Sequence, residues 1–284
     1  VGRRLGQHFL TDPHILDRIV EAAEPDPRDV VIEIGPGRGT LTYRLAPRVG
    51  QVIAVEKDRR LVETLGSGTR EAGRVGPDNV LVVRGDALAV DWVGLVTEAA
   101  LPACRFPLPG FKVVGNIPYY ISTPLIERAL ALASCRLVVF LVQREVADRL
   151  AAPPGSKTYG ALSAGVQAQA AVERLFAVRR GAFQPPPKVD SALVRLRPLA
   201  NPLVDPAEHA AWRRFLAGVF SQRRKQLGRS LRGLWEQPRE VIAALLADLG
   251  IDAAGRPESL APAELVRLFR GMGRLQRPPA AGHR

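Results

Sequence analysis

Three glycines spaced two apart lie in EIGPGRGTLT, Glu33 to Thr42, directly after the apolar run Val30–Ile34. Glycine removes the side chain where backbone must come close to a ligand. Gly35, Gly37 and Gly39 therefore read as a ligand-facing loop between a strand and a helix. Glu56 closes the next apolar run, 21 residues after Gly35, where a carboxylate can accept from both hydroxyls of a ribose. A nucleoside-bearing cofactor, a nicotinamide dinucleotide and a structural tight turn all fit these two signals. Asp86, in GDAL after a third run, can accept from an adenine amino group in the same crevice or cap the next helix. More specific is NIPYYIS, Asn116 to Ser122, at the end of a fourth run. In open α/β sheets, ligands sit at the carboxyl ends of central strands. An Asn side chain and the carbonyl of the nearby proline can accept from and orient an amino group, and the adjacent aromatic ring can stack on a base. Asn-x-Pro-Tyr alone also makes an ordinary turn; its place beside the glycine loop favours chemistry.

These residues need a frame that gathers strand ends. Strands are predicted over Val30–Ile34, Val52–Glu56, Val80–Val83, Lys112–Asn116 and Leu137–Val142. All but the second are apolar with little alternation, as in strands covered on both faces. Asp12-Pro13 supplies an N-cap and first turn for a helix with Ile15, Leu16, Ile19 and Val20 on one face. Alternation of this kind predicts an α/β fold with a doubly wound, mostly parallel sheet. Val172–Val178 and Ala192–Leu196 complete seven strands as a hairpin-like pair. From about residue 202 the pattern becomes helical: Trp212, Phe215, Leu216, Val219 and Phe220 share a face. A second helix is predicted from Pro238 to a C-cap at Gly250, and a third from Pro262 to Arg270, with a frayed tail from Gly271. The expected domains are 1–200 and a small helical domain, 201–284.

The formal charge is +12, and residues 201–284 hold 14 Lys/Arg against 8 Asp/Glu, half of that surplus. Such a concentration points to a polyanion, nucleic acid above all. The segment Phe220 to Gly233 sets Arg223, Arg224, Lys225, Arg229 and Arg232 along two or three helical turns, with Leu227, Leu231 and Leu234 toward the core. That face binds RNA phosphates or is simply solvated. No apolar run approaches a membrane span and the first residues do not read as a signal peptide, so a soluble, cytoplasmic, monomeric protein without membrane association is expected. Two cysteines, Cys104 and Cys135, fit a reducing compartment. His8, His14, His209 and His283 form no ligand spacing with them, and no metal is expected.

Together, the glycine loop, Glu56, Asp86 and Asn-Ile-Pro-Tyr resemble the N6-adenine class of S-adenosylmethionine-dependent methyltransferases. GQHFL, QREVADRL, YGALS and FQPPPKVDSALVRL narrow the resemblance to the KsgA/RsmA/Dim1 family of rRNA adenine dimethyltransferases, over residues 3 to about 235. The resemblance implies a Rossmann-like, class I methyltransferase domain plus a small C-terminal helical domain. It implies that S-adenosylmethionine is bound by His8, Leu10, Gly35, Gly37, Glu56, Asp86 and Asn116, leaving S-adenosylhomocysteine as product. Asn116, Pro118 and Tyr119 would hold the target amine, with Phe183 closing the second face of the base. The implied reaction is dimethylation of two adjacent adenosines near the 3′ end of small-subunit (16S) rRNA, in a 30S precursor late in assembly. Two alternatives stand beside it: a large-subunit (23S) rRNA adenine methyltransferase of the antibiotic-resistance type, and a non-catalytic assembly or transcription factor on the same fold.

Overall fold

The computed structural model describes residues 8–67, 77–99, 110–222 and 225–275. Strands form where β-branched and aromatic residues run together: β1 (Phe9–Leu10), β2 (Val30–Ile34), β3 (Gln51–Glu56), β4 (Val80–Arg84), β5 (Phe111–Asn116), β6 (Cys135–Gln143), β7 (Ala170–Val178), β8 (Phe183–Gln184) and β9 (Ser191–Pro198). Seven of them make one sheet in the order β4-β3-β2-β5-β6-β9-β7, while β1 and β8 pair separately. Pairings from β4 across to β6 are parallel, and β9 runs antiparallel to β6. The mostly parallel, doubly wound sheet is as the sequence predicts, with each of the five leading strands recovered to within two residues at either end.

Helix α1 (Pro13–Ala22) starts where expected, because Asp12 Oδ1 accepts from the N–H groups of His14 and Ile15 at 3.0 and 3.2 Å. Its Leu16, Ile19 and Val20 pack with Val31, Val114 and Leu141 of the sheet. Four more helices alternate with the strands: α2 (Thr42–Leu45), α3 (Arg59–Ser67), α4 (Trp92–Ala99) and α5 (Ser122–Leu130). After β6 come α6 (Arg144–Leu150) and α7 (Ala161–Gln167), and after β9 come α8 (His209–Ser221), α9 (Leu227–Trp235), α10 (Arg239–Asp248) and α11 (Pro262–Leu275).

Two compact units separate among the described residues: those up to Ala147 with Val172–Pro198, and Asp148–Ala171 with those from Leu199 onward. The expected boundary near residue 200 therefore misplaces Asp148–Ala171. Burial explains the difference. Tyr159 and Ala164 are wholly buried in the core built by Trp212, Leu216 and Val219, and Gln167 Nε2 ties this segment together by donating to the Leu150 and Ala152 carbonyls. The last helix also runs further than predicted, through Gly271 to Leu275. A Cβ on Gly271 would lie 2.8 Å from Leu245 Cδ1, so this glycine serves a close helix contact and does not mark a frayed tail. Gly250, at φ +66°, follows the end of α10 as the C-cap reading requires.

Candidate active site

In the sheet β2 lies between β3 and β5, so the chain winds one way from β2 and later returns on its other side. The connections leaving β2 and β5 diverge there and open a crevice beyond their carboxyl ends. The loop after β2 holds Gly35, Gly37 and Gly39 at φ +68°, +61° and +80°, left-handed backbone that glycine adopts without strain. A Cβ on Gly37 would lie 3.0 Å from the Phe9 ring, so the bare loop also admits the β1 segment. Glu56, the last residue of β3, is buried. Its Oε2 accepts from the Gly37 N–H at 3.2 Å and its Oε1 from the Asp58 N–H at 2.9 Å.

Asn116 ends β5, and its Nδ2 donates to the His8 carbonyl at 2.9 Å. Because a carbonyl can only accept, the amide nitrogen must face His8, and Oδ1 is left to accept from a ligand. The Pro118 carbonyl accepts from the Ile121 N–H at 3.0 Å, closing a 3₁₀ turn over Tyr119–Ile121 and keeping one lone pair in reserve. Tyr119 Oη and Ser191 Oγ share a hydrogen bond of 2.9 Å, and the tyrosine ring lies beside the His8 imidazole, 6.5 Å between centroids and 25° between planes. His8 Nδ1 sits 2.8 Å from the Pro185 carbonyl, so that nitrogen carries a hydrogen. The resulting cleft has a volume of about 320 Å³. His8, Leu10, Gly35, Gly37, Glu56, Asn116, Pro118 and Tyr119 all border it.

Glu33 borders the same cleft and was not singled out from the sequence, where it reads as part of a strand. Only 2% of it is exposed, and burial pushes its carboxyl up to about 7. Nearby Thr42 opposes that shift and the Glu56 charge adds to it, yet Glu33 Oε2 has no well-aligned hydrogen-bond partner. Phe9 and Tyr120 also line the cleft, each a neighbour of residues the motifs did point to.

A family model described as ribosomal RNA adenine dimethylase matches residues 2–270. The chain belongs to the ribosomal RNA adenine dimethylase family. It is 40% identical over 269 residues to the ribosomal RNA small subunit methyltransferase A of Nitrosococcus oceani, covering 94% of each chain. It is similar to the crystal structure of a dimethyladenosine transferase from Plasmodium falciparum, with TM-score 0.76 and 27% identity over 94% of this chain and 98% of that one. The structure of the 23S rRNA methyltransferase ErmE follows, with TM-score 0.68 and 29% identity over 93% and 99%.

Two residues expected at this dimethylase-family cleft do not border it. Phe183 is 4% exposed: pairing of β8 with β1 sets it opposite Leu10, and it packs into the core with Leu16 and Ile19. The rings that line the cleft are those of His8, Phe9, Tyr119 and Tyr120. Asp86 lies past β4, where its Oδ2 accepts from Lys57 Nζ at 2.7 Å and its Oδ1 from the Leu88 N–H at 2.9 Å. The Lys57 hydrogen bond, more than any other contact, holds its carboxyl below the usual range.

The basic segment also departs from its predicted form. Helix α8 ends at Ser221 and α9 begins at Leu227, so Lys225 sits in the intervening turn and not on a face shared with Arg229 and Arg232. Lys225 and Arg229 are exposed and Arg232 is half-buried, while Leu227 and Leu231 point into the core as predicted. Arg223 and Arg224 lie outside the described residues. Among the described residues no group of three or more His, Cys, Asp or Glu is placed to hold a metal ion, and no helix is long and apolar enough to cross a membrane.

Proposed function

We propose that the chain transfers methyl groups from S-adenosylmethionine to the N6 amino groups of two adjacent adenosines near the 3′ end of 16S rRNA, within a 30S precursor. It acts as a cytoplasmic monomer late in small-subunit assembly. The observation that carries this reading is the Asn116 amide, turned by the His8 carbonyl so that Oδ1 is free to accept, in one cleft with the glycine loop and Glu56. The near-full-length relative named for the small subunit favours that RNA over the large-subunit alternative.

The residues present fit the cofactor. Bare backbone at Gly35 and Gly37 leaves room for its methionine end, the buried Glu56 carboxylate suits a ribose, and the volume falls among small-ligand pockets. Asp86 adjoins through Gly85, whose N–H bonds the Glu56 carbonyl, and takes the adenine amino group; His8 and Leu10 cover the ligand. When bound, the cofactor supplies a methyl group already activated on a sulfonium. The protein's task is then positioning and exclusion of water. Asn116 Oδ1 and the Pro118 carbonyl accept from the target amine and favour a pyramidal nitrogen with its lone pair aimed at the methyl. Tyr119, steadied by Ser191 and His8, stacks on the extruded base.

Mapping tritiated methyl groups onto 16S and 23S rRNA from cells lacking the protein tests the whole reading. Label confined to 23S rRNA, or absent from both, would overturn it. Glu56→Ala is expected to weaken S-adenosylmethionine binding by about 1–3 kcal/mol, since ribose hydroxyls lose a charged acceptor. Unchanged affinity by calorimetry would remove Glu56 from the cofactor site.

Phosphate contacts fall to Arg223, Arg224, Lys225, Arg229 and Arg232. Neutralising Lys225, Arg229 and Arg232 together should flatten the dependence of particle binding on log salt by roughly two units. An unaltered slope across a salt series would show these charges to be merely solvated.

A further inference from the structure

We propose that Tyr120 is a stacking platform for the unpaired base next to the target adenine. The inference rests on the reaction proposed above. Among the described residues, Tyr120 is the most exposed large hydrophobic side chain, at 70%. It follows Tyr119, whose hydroxyl bonds Ser191, and it lines the same cleft. Exposed apolar surface concentrated at the mouth of a cleft marks a binding surface.

Geometry separates the two tyrosines. They occupy successive positions of the 3₁₀ turn Tyr119–Ile121, whose side chains diverge by about a third of a turn. Tyr119 faces Ser191 and His8 and is half-buried, so it serves a base inside the cleft. Tyr120 lines the cleft but presents most of its ring to solvent, so it cannot share that base. A second base is implied by the substrate itself, since one of two adjacent adenosines must be held outside while the other occupies the cleft. Unpaired RNA bases are held by stacking on aromatic rings, and a ring stack tolerates any base.

The test uses 30S particles whose 16S rRNA carries a ligated synthetic 3′ segment, with the neighbouring nucleotide intact, changed to uridine, or abasic. Tyr120→Ala is expected to lower kcat/KM on intact particles by roughly 5- to 150-fold, with Tyr120→Phe near wild type. Uridine should be tolerated. An abasic neighbour should cost the wild type a similar factor and cost Tyr120→Ala nothing more, because both changes remove one stack. Cofactor affinity by calorimetry should be equal in all three proteins. Independent, multiplying losses, or a Phe variant as poor as Ala, would overturn the platform while leaving the reaction standing. A wild type that binds cofactor yet methylates no intact particle would overturn the reaction, and the platform with it.

Discussion

Asn116→Ala is expected to slow methyl transfer by about 10²–10³-fold at saturating cofactor and RNA, with RNA binding nearly unchanged. As the amine attacks, positive charge grows on N6. Dipoles already aimed at that nitrogen are worth most where water is excluded, and they need no reorganisation at the moment of reaction. The Asn116 amide has its nitrogen committed to the His8 carbonyl at 2.9 Å, which leaves Oδ1 as the acceptor that the proposed reaction requires. That bond also offers a rival explanation, in which Asn116 only tethers the segment around β1 over the cleft. The two accounts separate experimentally. Loss of the tether would loosen cofactor binding, whereas loss of the acceptor lowers the single-turnover rate when every site is filled. A near-normal rate under those conditions would leave Asn116 as a tether only.

The parts of this architecture that could be read from sequence are those governed by local pattern. β2 is buried along its whole length, so VVIEI shows as an apolar run broken only by Glu33. The start of α1 was legible because Asp12 and Pro13 are themselves the cap and first turn. What the pattern did not show depended on partners far along the chain. Phe183 lies in a strand of two residues, too short for any periodicity, and its orientation follows from pairing with Leu10. Lys57 and Asp86 are 29 positions apart, and no spacing rule joins them. The segment around Tyr159 and Ala164 is made of small residues that do not announce which core they enter; they enter that of Trp212. The break between α8 and α9 contains neither glycine nor proline, so SQRRKQ reads as uninterrupted helix although Gln222 leaves helical geometry, at φ −117° and ψ 41°. Glu33 was visible as a residue but not as a site, because a carboxylate's burial is decided by what folds around it.

That burial leads to the second large effect. In the folded protein the Glu33 carboxyl is raised to about 7 from an ordinary 4.5, by burial first and by the Glu56 charge last. Between those values the folded chain holds a proton that the unfolded chain has released, so stability falls as pH rises across the window. Below about pH 4.5 the contribution is fully present; above about pH 7 it is lost, to the extent of about 3 kcal/mol. Glu33→Gln keeps the shape and remains neutral throughout. The variant should lie within about 1 kcal/mol of the wild type near pH 5 and exceed its stability by about 3 kcal/mol near pH 8. Urea unfolding of both proteins at half-unit steps between pH 5 and 8 reads this directly. Groups common to both proteins and remote from Glu33 cancel in the difference. Parallel curves would show that Glu33 does not carry the pH dependence. Diverging curves would show a carboxyl that costs the fold stability at neutral pH, at a position on the wall of the cleft.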